Sequence, residues 1–288
     1  MFLRWKEYAR KLALEGHKPL FKYTSPGSRV PQRPEHDADL RLKIRHKLDG
    51  PLLKQYIVPG TLASLTNYFA VPKGDTDLRM VYDASKTGLN ASLWVFSFPL
   101  PTTNSLVDLL TPSSWMSDID LGEHFLNFPL HKDLQVHCGM DLKPYYWDET
   151  KGTKKTMWMR WSRCMMGLKP SPYFTIKATH LAYEVVWGLA FDPSNAMQRS
   201  QVHLNLPGSL TYTPSQPWFQ RLCTDGTMAG STPVYVDDLH PVGSSAEHCF
   251  QVAHQTASRL GYMGIQNASR KMHPPANIRV PGRVSWCM

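Results

Sequence analysis

The chain has 288 residues, of which 42% are hydrophobic, 11% aromatic and 19% charged. This composition is globular, is sufficient for one large domain or two modest ones, and excludes an intrinsically disordered chain. Lys and Arg outnumber Asp and Glu by 32 to 23, a net charge of +9, and residues 1–60 carry 13 basic and 6 acidic side chains. Such a basic segment is as typical of an arm that binds a polyanion, nucleic acid first and an anionic membrane second, as of a solubilising surface.

Several classes of protein are excluded by what the sequence lacks. The most apolar helical stretch, Leu181–Phe191, is interrupted by Glu184 and Gly188, so we expect no transmembrane segment. The charged N-terminus does not have the apolar core of a signal peptide. The cysteines form no CxxC pair, which argues against a disulfide framework and against structural zinc. We therefore expect an intracellular, non-secreted protein with no membrane partner, although no signal indicates its compartment.

The first 56 residues are interpreted as a basic N-terminal segment. A short helix is predicted over Phe2–Leu14, followed by an extended linker rich in Pro, Ser and Arg over Thr24–Pro34. Residues 57–288 are interpreted as the main domain.

Strand patterns begin at residue 68. Two short strands are predicted over 68–73 (YFAVPK) and 78–83 (LRMVYD), joined by a turn over 74–77 (GDTD). A third strand leads into a turn in the stretch 117–125 (SDIDLGEHF). The stretch 234–239 (VYVDDL) predicts a hairpin with two adjacent Asp residues at its tip.

A long helix is predicted from residue 171 onwards. Ser171 provides the N-cap and Pro172 the first helical position. Apolar residues then recur at helical spacing and predict one buried stripe: Phe174, Ala178, Leu181, Val185 and Leu189.

A second helix is predicted after a capping box formed by Ser244 and Glu247. Gly261 is expected to end this helix. The segment between the two helices, about 190–232, has weak periodicity and is interpreted as a long insertion at the surface. The apolar face of the second helix is predicted from four residues: Phe250, Ala253, Ala257 and Leu260.

The two acidic stretches point to metal chemistry. Adjacent carboxylates repel each other by about 1 kcal/mol in water at ~4 Å, and by more where water is scarce. Carboxylate oxygens select Mg²⁺ or Mn²⁺, and three of them from two strands can hold two ions about 3.5–4 Å apart, the arrangement used for phosphoryl transfer. A pair of adjacent Asp residues alone is more typical of a solvated turn, so the neighbouring motifs decide the interpretation.

These motifs occur in a fixed order that resembles the reverse transcriptase family. The stretch 235–238 (YVDD) resembles the family's YxDD signature, and Asp120 followed by Phe125 resembles its first palm motif. The remaining matches are 69–73 (FAVPK), 79–83 (RMVYD), 89–90 (LN), 98–102 (FPLPT), 166–174 (MGLKPSPYF) and 261–271, which ends in SRK.

The resemblance implies an α+β fold, with an antiparallel palm sheet, packed helices and fingers, and with the thumb absent or truncated. The implied activity is that of an RNA-directed DNA polymerase, in which a primer 3′-OH attacks the α-phosphate of a dNTP. The implied cofactors are two Mg²⁺ (or Mn²⁺) ions. The implied partners are an RNA or DNA template with its primer and dNTPs, and a partner chain could supply thumb or RNase H functions.

The resemblance also assigns catalytic roles. Asp120 and Asp237 would bind the two metal ions, supported by Asp238, and the backbone carbonyl of Leu121 would be a further ligand. Phe125 would be a steric gate against the ribose 2′-OH. A buried aromatic residue without this motif would be interpreted as part of the core.

The remaining assigned residues would bind the dNTP. Lys73 and Arg79 would bind its triphosphate, and Gly167, preceded by Met166, would let the backbone approach the nucleotide. Lys271 would protonate the pyrophosphate leaving group. Without the motifs, each of these Lys and Arg residues would be interpreted as a solvated surface charge.

Three features depart from the family pattern. Met166 replaces the Gln that usually precedes the motif glycine, the span from Gly167 to Asp237 is long, and the chain ends where a primer-gripping hairpin would finish. A truncated, catalytically weak or inactive retroelement remnant that binds nucleic acid is therefore the alternative. An RNA-dependent RNA polymerase is a weaker alternative, because Phe125 and YVDD disfavour it. The wording of the motifs looks most like retrotransposons of the tyrosine-recombinase (DIRS-like) group.

Overall fold

The computed structural model describes residues 6–25, 27–33, 35–100, 102, 114–146, 157–214, 216, 218–268 and 273–277. No helix within these ranges is long and apolar enough to cross a membrane. The helices are α1 (Glu7–Glu15), α2 (Ala38–Leu53), α3 (Leu89–Ser92), α4 (Lys132–Gln135), α5 (Lys143–Tyr146), α6 (Ser171–Trp187) and α7 (Ala246–Tyr262), with a 3-10 helix at His124–Asn127.

The strands pair only in antiparallel fashion within the described sheets. They are β1 (Leu20–Phe21), β2 (Ile57–Val58), β3 (Asn67–Lys73), β4 (Asp77–Asp83), β5 (Leu93–Trp94), β6 (Trp115–Asp120), β7 (Gly139–Asp141), β8 (Trp158–Trp161), β9 (Gln201–Leu204), β10 (Phe219–Leu222), β11 (Val234–Tyr235), β12 (Asp238–Leu239), β13 (Val242–Gly243) and β14 (His273–Asn277).

The chain forms two compact units that are each discontinuous in sequence. The first comprises Met1–Ser97 and Phe125–Ala178, and the second comprises Phe98–His124 and Thr179–Met288. The predicted boundary after residue 56 does not coincide with this division, because α2 and the strands that follow it share one core.

The core of the first unit contains both α2 and the β3–β4 hairpin. Ile44 and Leu48 of α2 are buried in the same cluster as Tyr68 of β3, Tyr82 of β4 and Trp161 of β8. The predicted hairpin of 68–83 is confirmed, with β3 and β4 paired along their whole length. A separate sheet of this unit has the strand order β2-β8-β7.

The second unit is built around β6, which has partners on both edges. On one edge β12 and β13 pair with it in a common register, and the hydrogen bond from Ser117 N to Pro241 O (3.0 Å) joins the two pairings. On the other edge β14 pairs with β6. The helix α7 packs on β6, β13 and β14. The prediction of a strand that leads into a turn within 117–125 is confirmed, and the strand ends at Asp120.

The helix α6 differs from its prediction in where it begins and in which face it buries. Ser171 is the first helical residue, and its hydroxyl donates a hydrogen bond to the Met165 carbonyl (2.8 Å) instead of acting as N-cap. Leu189 lies outside the helix and is 75% exposed, since Gly188 has φ 62° and the helix ends before it. The residues with the most buried side chains form a stripe shifted from the predicted one: Thr175, Thr179, Ala182 and Val186.

The Thr residues explain why the stripe is shifted. The Thr175 hydroxyl donates to the Pro172 carbonyl (3.2 Å), and the Thr179 hydroxyl lies 3.1 Å from Nε2 of His124. A hydrogen-bonded hydroxyl can be buried at little cost, whereas a hydrophobic pattern counts it as polar.

The helix α7 begins one residue later than the capping box predicts. Ser245 is the N-cap, with φ −141° and ψ 168°, and its hydroxyl accepts a hydrogen bond from His248 N (3.1 Å). The helix runs past Gly261, and Gly264, at φ 80°, follows its end. Phe250 is 62% exposed, and the face that is buried consists of Cys249, Val252, Ala253, Gln255, Thr256 and Leu260.

The predicted insertion of about 190–232 contains a β-hairpin. Its strands β9 and β10 pair from Leu204 with Phe219 to Gln201 with Leu222. All four residues of β9 are exposed. The weak sequence periodicity follows from this exposure, because neither face of β9 is selected for burial.

Candidate active site

The strand β6 presents its acidic side chains on a single face. Ser117 and Ile119 are buried, whereas Asp118 and Asp120 are half-buried. Since successive side chains of a strand point to opposite faces, the two Asp residues share the face opposite to Ile119.

The hairpin of β11 and β12 brings two more carboxylates to this strand. Tyr235 pairs with Asp238, so Val236 and Asp237 form a two-residue turn. The predicted hairpin is therefore present, with Asp237 in the turn and Asp238 at the start of β12. The backbone N–H of Leu121 donates to the Asp237 carbonyl (3.0 Å) and ties the turn to the end of β6.

The turn contains a strained backbone conformation. Val236 has φ 56°, a region that β-branched residues rarely adopt. Glu123, three residues after Asp120, also has a positive φ, of 51°. Residues held in such conformations cost about 1–3 kcal/mol each and cluster at functional sites.

The strand register places Asp120 directly opposite Asp238. Like charges directly opposite each other in a sheet are destabilising. Partial burial raises the pKa of Asp238, and the neighbouring carboxylates of Asp237 and Asp120 raise it further. The three predicted catalytic carboxylates therefore lie at one end of β6 and interact electrostatically.

Two histidines that the sequence interpretation did not single out lie next to these carboxylates. His240 Nδ1 is 2.7 Å from Asp118 Oδ1 across the strands. Burial lowers the pKa of His124, while the nearby carboxylates of Asp237 and Asp120 oppose that shift. The alternation of β6 could have revealed Asp118, because it shares a face with Asp120.

The three carboxylates have the donor chemistry that a hard cation requires, but their spacing in the structure is less suited to binding one. Asp120, Asp237 and Asp238 offer only carboxylate oxygens, the ligands that Mg²⁺ and Mn²⁺ prefer. Within the described part of the chain, no three His, Cys, Asp or Glu side chains are close enough to hold a metal ion. Leu121 has a hydrocarbon side chain, so only its backbone carbonyl could serve as a ligand.

The structure places Lys73 and Arg79 on one hairpin of the first unit. Arg79 pairs with Val71 and Lys73 pairs with Asp77, so both basic side chains lie on the same face. Both are exposed. The hairpin therefore presents two cations to solvent.

Gly167 is required by packing inside the first unit. It has φ 84°, and a Cβ at this position would overlap the carbonyl oxygen of Tyr82. Its own carbonyl accepts a hydrogen bond from Asn90 Nδ2 (2.9 Å), and Asn90 Oδ1 accepts one from Lys169 N (2.8 Å). The preceding residue, Met166, is 50% exposed.

Two further predicted residues are placed as follows. Phe125 lies in the 3-10 helix, is half-buried and packs against the core of the first unit. Lys271 lies outside the described residues.

No family model matches the sequence, and no curated protein matches it. Many solved structures resemble it, and two of them are of foamy viral protease-reverse transcriptases. One is a foamy viral protease-reverse transcriptase in complex with double-stranded DNA, with a TM-score of 0.57 and 17% identity over 89% of this chain and 36% of that one. The other is the native prototype foamy virus protease-reverse transcriptase, with a TM-score of 0.56 and 17% identity over 89% of this chain and 28% of that one.

At this identity the likeness concerns the fold alone. The chain spans about a third of the length of these proteins. It is a mixed α and β chain with antiparallel sheets, and it has a reverse-transcriptase-like fold.

Proposed function

We propose that the chain is the fingers-palm portion of an RNA-directed DNA polymerase. The observation that carries this proposal is the register that sets Asp238 opposite Asp120, with Asp237 in a strained turn beside them. An acidic cluster of this kind lowers stability, and bound cations would offset its repulsion. The reverse-transcriptase-like fold supports nucleotidyl transfer as the reaction that such a cluster would serve.

In this proposal Asp120, Asp237 and Asp238, with the carbonyl of Leu121, hold two Mg²⁺ or Mn²⁺ ions. Such ions would supply stabilisation of negative charge on the attacking and leaving oxygens. Two of the carboxylates that would hold them, Asp120 and Asp238, are kept in register by the β6–β12 pairing.

The proposed dNTP contacts lie in the first unit, apart from Lys271. Lys73 and Arg79 bind the triphosphate, supported by their exposure on one hairpin face. Phe125 acts as the gate against ribonucleotides, supported by its position directly after His124. Met166 and Gly167 line the nucleotide in this proposal, although Gly167 is already accounted for by its contact with Tyr82.

The proposed substrate is an RNA or DNA template with its primer. The net charge of +9 and one neighbour's complex with double-stranded DNA support a nucleic-acid partner. A partner chain could supply thumb or RNase H functions. The two foamy viral neighbours give no support to the tyrosine-recombinase subgroup.

The alternative is a retroelement remnant that binds nucleic acid without copying it. It is favoured by the placement of the carboxylates, which do not form a group of three metal ligands within the described residues. The two functions differ in whether metal-dependent synthesis accompanies binding.

Primer extension on oligo(rA)/oligo(dT) with Mg²⁺ or Mn²⁺ tests the proposal. We expect Asp237→Asn to abolish incorporation, because it removes a charge that the ions require, and to leave duplex binding intact. Asp133→Asn, an exposed Asp in α4, is the matched control and should retain full activity. Synthesis retained by Asp237→Asn would refute the metal assignment, and duplex binding without synthesis in the unaltered protein would favour the remnant.

A further inference from the structure

Two arginines of the predicted insertion converge on one indole of the second unit. Arg221, on β10, has its guanidinium carbon 3.9 Å from the ring centroid of Trp187, and that of Arg199 is 5.5 Å from the same centroid. Arg221 also lies over the ring of Phe219, at 4.6 Å. The cluster of Trp187, Arg199, Phe219 and Arg221 is half-buried.

The cluster is held by regular structure. Trp187 ends α6, and Arg221 pairs with Val202 across the β9–β10 hairpin. The backbone N–H of Arg199 donates to the Ala190 carbonyl (2.7 Å), and that of Ser200 donates to the Leu222 carbonyl (2.8 Å). The two guanidiniums are therefore kept close to each other by the fold.

The carbonyls at the end of α6 do not engage these cations, because other side chains occupy them. Arg259 Nη1 donates to the Val186 carbonyl (2.8 Å), and Asn195 Nδ2 donates to the Trp187 carbonyl (2.9 Å). The attraction of a helix C-terminus for cations therefore acts on Arg199 and Arg221 through space, without a hydrogen bond to either carbonyl in the described structure.

Carboxylates do not engage them either. Within the described residues, neither Arg199 nor Arg221 has an ion-pair partner, and Nη1 of Arg199 is buried without a hydrogen-bond acceptor. The Asp225 carboxylate, which lines the same cavity as Arg199, accepts hydrogen bonds from the backbone and hydroxyl of Thr227 (2.9 and 2.6 Å). Burial and the charge of Arg199 lower the pKa of Arg221 to about 10.

Two like charges held together, with a buried donor left unsatisfied, are costly unless an anion joins them. Arg199 and Ser200 line an open cavity of about 280 Å³ that such an anion could enter. We propose that Arg199 and Arg221 form a phosphate-binding site for a nucleic-acid strand. The identification of the anion as a nucleic-acid phosphate rests on the proposed function, whereas the need for an anion follows from the two arginines alone.

A strand phosphate fits the surroundings of the site. Guanidiniums bind phosphate oxygens through paired N–H donors, and aromatic rings interleaved with them are typical of surfaces that follow a nucleic-acid backbone. Trp218, next to Phe219, is 46% exposed and offers a further ring. The strand would meet the insertion here.

Fluorescence anisotropy with a labelled duplex and a labelled single strand, at several salt concentrations and without divalent metal, tests this site. We expect Arg199→Gln to weaken binding by about tenfold and to lower the slope of log K against log salt by about 0.7–0.9, the value for one phosphate contact. Arg199→Gln leaves the closer stacking of Arg221 on Trp187 in place. Arg221→Lys keeps the charge and should show a smaller loss of affinity.

Lys132→Gln, in α4, removes one exposed charge elsewhere and is the matched control. Unchanged affinity and slope in Arg199→Gln, or a loss equal to that of Lys132→Gln, would overturn the proposal. A protein that binds neither nucleic acid would overturn it as well. In a parallel titration with inorganic phosphate, loss of phosphate binding in Arg199→Gln with unchanged nucleic-acid binding would assign the site to a free phosphate instead.

These readouts are independent of synthesis. Arginine-dependent binding without primer extension would refute the polymerase proposal and retain this site. If Asp237→Asn abolishes primer extension while Arg199→Gln leaves nucleic-acid binding unchanged, the polymerase proposal is retained and this site is refuted.

Discussion

At the scale of single residues, the acidic site is defined by charges that the fold holds against their own repulsion. Val236 adopts a left-handed backbone conformation, and Asp238 faces Asp120 across two paired strands. Both features lower stability, and stability given up at one place is a frequent mark of function. The strain and the repulsion can be measured separately from activity.

The repulsion predicts a pH-dependent gain in stability for Asp238→Asn. The folded-state pKa of Asp238 is raised above its usual value, so the folded protein holds this proton more tightly than the unfolded chain does, and stability falls as the pH rises through that range. In metal-free buffer at pH 7 we expect Asp238→Asn to raise the free energy of unfolding by about 0.5 kcal/mol. Below about pH 3 Asp238 is protonated in both the folded and the unfolded state, and the gain should disappear. Urea unfolding at both pH values checks this, and a variant less stable than the unaltered protein at pH 7 would contradict it.

Phe125 predicts a change in sugar selectivity. If its ring excludes the ribose 2′-OH, Phe125→Ala should raise the ratio of kcat/KM for ribonucleotides to that for deoxynucleotides by about tenfold or more. The variant will also lose stability, since Phe125 packs against the core of the first unit. Phe128→Ala is the matched control, because Phe128 packs against the same core. Equal selectivity in the two variants would remove the gate assignment.

At the scale of elements, the sequence correctly predicted the strands and turns that depend on residues close together in the chain. Two short strand patterns joined by a turn predicted the β3–β4 hairpin, and the β-branched and aromatic residues that flank the two Asp residues of 234–239 predicted the acidic hairpin. The predicted face of α6 was wrong because Thr175 and Thr179 are buried with hydrogen-bonded hydroxyls, and the partner of Thr179, His124, is distant in sequence. The predicted end of α7 was wrong because Gly261 and Gly264 are equally plausible helix stops in the sequence. Only Gly264 adopts the left-handed conformation.

The turn that contains Gly167 predicts a stability difference between two glycines. Gly74 and Gly167 both have positive φ, of 62° and 84°, but only at Gly167 would a Cβ meet another atom. We expect Gly74→Ala to cost about 1–2 kcal/mol from backbone strain. Gly167→Ala should cost at least about 1 kcal/mol more, because of its overlap with Tyr82. Denaturant unfolding measures both, and equal losses would show that the turn can move away from β4.

At the scale of the whole molecule, the division into two units was hidden from sequence analysis. Each unit combines two separate stretches of chain, and α6 contains one of the boundaries, after Ala178. Composition changes along the sequence cannot reveal such a division. The basic N-terminal segment was predicted as separate, yet α2 within it contributes to the core of the first unit.

This organisation predicts the effect of two leucines in α2. Leu48 is 0% exposed and Leu53 is 87% exposed. We expect Leu48→Ala to lower the free energy of unfolding of the first unit by about 2–5 kcal/mol, and Leu53→Ala to change it by less than about 0.5 kcal/mol. Near-UV circular dichroism during urea unfolding follows the buried aromatic residues of this core. A small effect of Leu48→Ala would mean that the segment is a detachable arm after all.

The position of β6 between β12, β13 and β14 also has a consequence during protein synthesis. The strand leaves the ribosome more than a hundred residues before the partners that cover both of its edges. At about 5–20 residues per second, this delay is on the order of ten seconds. Through that interval β6 is a nascent strand with open edges, which is a substrate for chaperones and a risk for aggregation. The acidic side chains of Asp118 and Asp120 would then act as gatekeepers against aggregation before they serve any reaction.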